Sequence, residues 1–452
     1  MKIDLKYRMQ GLLSNLSLPR NRTLLLFGVE GTLYQFSQSV NNFGNCLYAT
    51  RMGASDTQIC LVQMIPNLIA VILLLPVGML SDRLKKSRTV PAACLLIMGI
   101  MYFFYASVPL MGSLKLSLFF VFLGMTVGGC VLYNAQWQNF FGDVTPPDSR
   151  NAVFTFRSRI MFLIGIVIPL LCGFAMAAQT AEESKTMILR IFYYICGAFI
   201  LLQFFIIRKI PCSDRTENDE KQAKFSPILI YRTAREAFEG KYFKRFFLTG
   251  VLFFVSWQMD WSMWYIEETQ YALMNEAHLS IINAVGSISS MLVIGFFSKM
   301  IEKRSPYFTM IVVQVGYVIG IFTAMLAISP LFPDGIKPYA FIIGSIAPTA
   351  IECSYNLCLV QIMLSSVPHK NRSLIISLYT LVTTLTNAFV PYLGVHLYKF
   401  FGSDLGAVYK FNTIVFIMRV CALIEIVWLY KTTKKEGRLF STDIDSIPSA
   451  NP

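Results

Sequence analysis

Two carboxylates stand where water is scarce. Asp260 lies in "SWQMDWSMW" and Glu352 in "TAIECSYN", each in the middle of a long apolar stretch. Desolvation penalises the charged form of such a group, so it can load and release protons under conditions that leave an exposed carboxylate ionised. Asp260 or Glu352 is expected to couple a proton to the protein's work. A charge at the centre of a spanning helix costs about 3 kcal/mol on insertion scales, so each needs a function or a partner. Arg157 and Arg159, in "FTFRSRIMF", make the same demand from the basic side. Glu30, in "GVEGT", lies at similar depth and is the expected partner of one of them. That pair reads equally as a structural tie or as a salt bridge exchanged during a working cycle. Arg419 and Glu425 read as snorkelling or locally paired, with no assigned role.

A second set of residues suits binding. Glu30, Tyr34, Ser37, Gln38, Asn41 and Asn45 recur three or four apart, which places them on one face of a helix. Tyr133, Asn134, Trp137 and Gln138 form a second stripe. Trp257, Trp261 and Trp264 form a third around Asp260, and Tyr355 and Asn356 a fourth beside Glu352. Aromatic rings with amides suit a polar organic solute that has an apolar face, such as a sugar, nucleoside or amino-acid derivative. The plainer reading stands beside it. Buried amides tie membrane helices together for roughly 1 kcal/mol each. Tyr133 and Tyr355 could be packing residues, and Trp264 an interface aromatic.

The elements that hold these residues follow from composition. Of 452 residues, 55% are hydrophobic and 14% charged, too few charges for an ordinary soluble chain. Apolar runs lie near 22–50, 58–81, 89–111, 114–141, 152–178, 186–207, 243–272, 278–300, 307–331, 337–365, 373–401 and 408–431. Each is long enough to cross a hydrocarbon core of about 30 Å as a helix and too long for a barrel strand. The expectation is an all-α, multi-pass protein of the cell membrane. The net charge of +13 is a topology signal more than a nucleic-acid signal. With the N-terminus in the cytoplasm, the great majority of the 39 Lys and Arg fall on the cytoplasmic side, which puts both termini there. No cleaved signal is visible at the N-terminus. Nine of the ten Cys lie inside apolar runs and Cys212 in a loop, with no CxxC or Cys/His spacing. Neither a disulfide framework nor a metal site is supported, and no cofactor is expected.

The runs also repeat. "YNAQWQNFFGDVTPPDSR" from Tyr133 is matched by "YNLCLVQIMLSSVPHKNR" from Tyr355, with Tyr, Asn, Pro and Arg at the same offsets. Pro169 and Pro391 extend the match, and "GMLSDRLKKSR" after the second run is matched by "GFFSKMIEKR" after the eighth. The chain is a duplicated half. It divides into an N-terminal segment 1–21, a six-helix bundle 22–207, a cytoplasmic linker 208–242, a second bundle 243–431 and a tail 432–452. Parallel halves of this kind are a transporter plan, with the solute site near the bilayer midplane.

"GMLSDRLKKSR" resembles the loop signature of the major facilitator superfamily, Gly-x-Leu-x-Asp-Arg-x-Gly-Arg-Arg/Lys, through Gly78, Leu80, Asp82, Arg83, Lys85, Lys86 and Arg88. The second glycine is replaced. The resemblance implies a two-bundle transporter that works by alternating access, with helices 1, 4, 7 and 10 lining its cavity. The cavity residues would then be Tyr34, Gln38, Asn41, Tyr133, Asn134, Trp257, Trp261, Tyr355 and Asn356. Gly78 would permit close helix contact, and Asp82 with Arg83 would gate the cytoplasmic side, Asp82 facing the N-terminus of helix 11 near Arg372. The helix 4 stretch "GMTVGGCVLYNAQW" lacks the Arg typical of many proton-driven exporters, and helix 5 only echoes the drug-antiporter motif through Gly165, Pro169 and Gly173. A monomeric, proton- or other cation-coupled permease for a small polar solute is therefore expected ahead of an efflux antiporter. A transporter-derived sensor without turnover is a further alternative. An enzyme is not expected: His278, His369 and His396 lie at helix ends or in a loop, and no nucleophile–base set is visible at depth.

Overall fold

The computed structural model describes residues 19–145, 147–212, 232, 235–236, 238–239, 241–366, 372–437 and 439. Most of the expected N-terminal segment, linker and tail lie outside them, and the first helix begins at Pro19, inside the expected segment 1–21. The described residues form long helices and no strand. The helices are α1 (Pro19–Arg51), α2 (Leu61–Arg83, preceded by the single turn Asp56–Ile59), α3 (Thr89–Ser107), α4 (Lys115–Val144), α5 (Pro147–Ala177) and α6 (Glu182–Lys209). Then come α7 (Lys241–Gln258, resuming at Trp261–Ile266 and ending in π-helix at Glu267–Tyr271), α8 (Glu276–Arg304) and α9 (Pro306–Ala327). The chain ends with α10 (Lys337–Ser366), α11 (Arg372–Phe400) and α12 (Leu405–Lys435). Eight of them are long and apolar enough to cross a membrane on length and composition alone. α1, α7, α10 and α11 are not among the eight.

Local chemistry sets several boundaries. Asn275 opens α8 with a capping box: its Oδ1 accepts from the His278 backbone N–H at 3.0 Å, and His278 Nδ1 accepts from the Asn275 N–H. Asp404 caps α12 by accepting from the Ala407 N–H. Ser305 caps α9 with Pro306 at the first helical position, where a missing N–H costs nothing.

Packing divides the chain into two units, 1–54 with 69–218, and 55–68 with 219–452. The same helix pairs recur in each. α1 packs on α5 and α6, and α3 on α4 and α6; in the second unit α7 packs on α11 and α12, and α9 on α10 and α12. The sparse sequence repeat is therefore a repeat of packing. Pro169 in α5 and Pro391 in α11 occupy corresponding helices, each removing a backbone hydrogen bond. Leu292, Phe296, Leu331 and Ile343 are among many large apolar side chains left exposed, a liability in water and an ordinary surface in lipid.

One contact in the second unit is unusually close. A Cβ at Gly394 of α11 would run into the Met259 carbonyl oxygen, at the interruption of α7. Backbone cannot retreat as a flexible side chain can. Gly394→Ala is expected to cost about 1–3 kcal/mol as an overpacking change. A fall in detergent melting temperature would register it, and an unchanged melting curve would mean that α11 shifts freely.

Candidate functional site

In the first unit the polar residues of α1 turn inward. Glu30 is fully buried and is the hub of a network drawn from three other helices. Arg157 of α5 donates to it twice, from Nε to Oε2 at 2.8 Å and from Nη2 to Oε1 at 3.3 Å. The Tyr133 hydroxyl of α4 donates to Oε1 at 2.6 Å, and Gln203 Nε2 of α6 at 2.9 Å. Gln203 Nε2 also lies 3.0 Å from the Tyr133 hydroxyl. Gly31 makes room for this geometry, since a Cβ there would lie 2.6 Å from Arg157 Cγ. The guanidinium lies 4.1 Å from the centre of the Trp137 ring, a cation–π contact that further fixes its plane.

Arg157 also forms part of the wall of a cleft of about 470 Å³, with Tyr34, Asn134, Trp137, Gln138, Phe141, Phe154 and Met161. Trp137 and Phe141 stack at 4.9 Å with planes 14° apart, a flat apolar platform. Asn134 and Gln138 are exposed and one turn apart on α4, so both amides project from one helix face. Because Glu30 neutralises Arg157, this wall offers hydrogen bonds and aromatic faces without a net charge.

The second unit solves the same packing problem differently. Phe253 of α7 stacks on Tyr355 at 4.0 Å with planes 11° apart, and Trp257, Phe254 and Tyr317 surround the pair. Tyr355 is the repeat counterpart of Tyr133, so an aromatic stack stands where the first unit has a hydroxyl on a carboxylate. The charges lie further along α7. Asp260 is 3% exposed and sits where the helix is interrupted, with φ −95° and ψ 1°. It does not stand free. Arg419 Nη2 of α12 donates to Oδ2 at 2.7 Å, while Arg419 Nη1 donates to the Tyr317 carbonyl of α9 at 2.8 Å. Gln314 Nε2 in turn donates to the Arg419 carbonyl at 2.9 Å. Seven residues on, Glu267 is 1% exposed and accepts from Asn412 Nδ2 at 3.0 Å.

The expected site residues thus fall into separate groups. Tyr34, Asn134 and Trp137 line the cleft, and Tyr133 lies behind it on Glu30. Glu30 and Arg157 form an ion pair, and Arg159 is exposed. Gln38 is half-buried; Asn41 is buried and donates to the Tyr102 hydroxyl at 2.7 Å, a tie to α3 within the bundle. Trp257 and Tyr355 belong to the aromatic cluster, Trp261 is 37% exposed, and Glu352 is exposed. The close-contact reading of Gly78 needs correction: a Cβ there would meet Gln136 Nε2 at 3.9 Å, an ordinary distance that packing does not forbid. The side chains of Asp82, Arg83 and Asn356 lie outside the described residues. Sequence reasoning missed Gln203, the partner role of Arg419, and the Glu267–Asn412 contact. A lone Gln in "FILLQFFII" was the available signal for the first. Matching the two charged residues Asp260 and Arg419 across helices could have found the second.

Comparison with known structures supplies the context. A point mutant of the nucleoside transporter NupG superposes with a TM-score of 0.68 at 12% identity, covering 90% of this chain and 100% of that one. A bacterial homologue of the human lysosomal transporter Spinster, in an inward-facing and occupied conformation, gives 0.60 at 16% identity, covering 94% and 98%. A POT family transporter in complex with 5-aminolevulinic acid gives 0.63 at 13% identity, covering 90% and 96%. At such identities the likeness concerns the fold. No curated protein matches the sequence. The model of the Major Facilitator Superfamily matches residues 31–351, most of the chain, and with two units of repeated helix packing this protein belongs to that superfamily.

Proposed function

We propose that the protein is a secondary transporter of the cell membrane that moves a small, uncharged polar solute by alternating access, driven by a proton gradient. The observation that carries this reading is the cleft of the first unit. Its wall combines a stacked aromatic platform, two adjacent amides and a guanidinium whose charge is already neutralised. Such a wall favours a solute with a flat or apolar face and several hydrogen-bonding groups over an ion. Gradient coupling needs a titratable group inside the protein, and the buried carboxyls of α7 meet that need.

The cleft is tested by binding. Uridine, glucose, leucine and a dipeptide are offered to the purified protein and the change in melting temperature is followed. At least one class should stabilise it. Asn134→Ala and Gln138→Ala should each weaken that binding by about tenfold, the worth of one hydrogen bond of about 1.4 kcal/mol. Affinity unchanged in both variants would remove this wall from the solute site. Asp260→Asn and Glu352→Gln test whether either carboxyl carries the coupling proton. Loss of pH-driven uptake with solute exchange retained would support that role, and driven uptake intact in both would exclude it.

A further inference from the structure

α7 and α12 run side by side in the second unit and carry two polar contacts like the rungs of a ladder. Asp260 meets Arg419, and Glu267 meets Asn412. The rungs are two helical turns apart on both helices, in the register that antiparallel neighbours require. Both rungs leave buried polar atoms open, Asn412 Oδ1 among them. Glu267 Oε1 accepts from Asn412, while its Oε2 is buried with no hydrogen-bond partner among the described residues. Arg419 places Nη1 and Nη2 on Tyr317 and Asp260, while its Nε is buried and also without a partner among the described residues. A buried acceptor and a buried donor are thus both unsatisfied in one cluster, a costly condition unless they meet in another state.

The surrounding charges sharpen the point. Asp260 and Glu268 from α7 and Arg419 from α12 act electrostatically on Glu267, and Tyr271 and Tyr409 are its other titratable neighbours. Arg419 is therefore the one cation among these groups, against three carboxyls, and it is committed to Asp260. Its side chain springs from a Cβ tilted towards the N-terminus of α12, the direction of Asn412 and Glu267. Glu267 also opens the π-helical turn Glu267–Tyr271, a local geometry that allows a one-residue adjustment of the helix and recurs at functional sites.

We propose that Glu267 carries the coupling proton and that Arg419 is the group it switches. With the proton on Oε2, Glu267 is neutral and Arg419 stays on Asp260. When the proton passes to water, the new carboxylate accepts from Arg419 Nε and draws the guanidinium away from Asp260. Only the O–H bond of Glu267 is broken and remade, and one proton is bound and released per cycle. The proposal rests on the transporter reading above. It moves the proton from Asp260, which is already ion-paired, and from Glu352, which is exposed.

The test uses infrared difference spectra of the purified full-length protein, recorded between acidic and alkaline buffer without any solute. The wild type should show a protonated-carboxyl C=O band that titrates. The band should vanish in Glu267→Gln, shift in frequency in Glu267→Asp, and persist in Glu268→Gln and Glu352→Gln. Arg419→Lys, which keeps the charge and loses Nε, should move the midpoint of its titration. A wild type without such a band, or a band unchanged in both Glu267 variants, overturns the proposal. Should Glu267→Gln fail to fold, the frequency shift in Glu267→Asp decides. The measurement needs no transported solute, so failure of all uptake assays would count against the transporter reading alone.

Discussion

Glu30→Gln should be among the most damaging single substitutions in the protein, costing about 3–5 kcal/mol, the usual result of removing one partner of a buried ion pair. The amide keeps the size of the side chain and can still accept from Tyr133 or Gln203, so the loss isolates the charge. Arg157 would remain, 6% exposed, with its guanidinium against Trp137 and no carboxylate to balance it. Yield and monodispersity on size exclusion in detergent, followed by thermal unfolding, give the readout. The charge-swapped pair Glu30→Arg with Arg157→Glu should recover part of the loss. It cannot recover all of it, because Tyr133 and Gln203 are arranged to donate to a carboxylate at position 30. A Glu30→Gln protein as stable as the parent would mean that Arg157 finds water or another acceptor.

Arg419→Met should be of similar size, about 3–5 kcal/mol, for the mirror-image reason. It leaves Asp260 buried and uncompensated, and it takes the donor from the Tyr317 carbonyl. Asp260→Asn combined with Arg419→Met should be milder than Arg419→Met alone, since no unpaired charge remains. Arg419→Lys should fall between them: one ammonium cannot reproduce the planar fork that reaches Asp260 and the Tyr317 carbonyl together. Thermal unfolding of the parent, Asp260→Asn, Arg419→Met and the double variant in one detergent forms the cycle. Additive losses would show that Asp260 and Arg419 do not depend on each other.

The contrast between these pairs explains what could be read from the sequence. Glu30 and Arg157 were legible because both interrupt long apolar runs, and counting residues along helices of fixed rise places them at similar depth. Asp260 was legible as a buried carboxyl, but its direction was not. α7 is interrupted between Gln258 and Trp261, so the phase of the aromatic stripe before the break does not carry over to the residues after it. The expected cavity-facing acid therefore turns towards α9 and α12. Gln203 and Asn412 escaped notice because neutral amides cost little in an apolar helix and leave no deficit to be explained. Asn41, on the polar stripe of α1, donates to the Tyr102 hydroxyl, a tie that spacing alone does not distinguish from a cavity-facing position. The twelve apolar runs coincide with helices α1–α12, because hydropathy depends on no side-chain direction.

Solute movement across a membrane is read out by flux. The member of the uridine, glucose, leucine and dipeptide panel that most raises the melting temperature is used as radiolabelled probe, with the full-length protein reconstituted in proteoliposomes. An inward proton gradient should drive its accumulation above the outside concentration, a protonophore should abolish that accumulation, and exchange of labelled for unlabelled probe should continue without any gradient. A probe that stabilises the protein yet neither accumulates nor exchanges would contradict the account, and would mark the protein as a binding or sensing member of its superfamily.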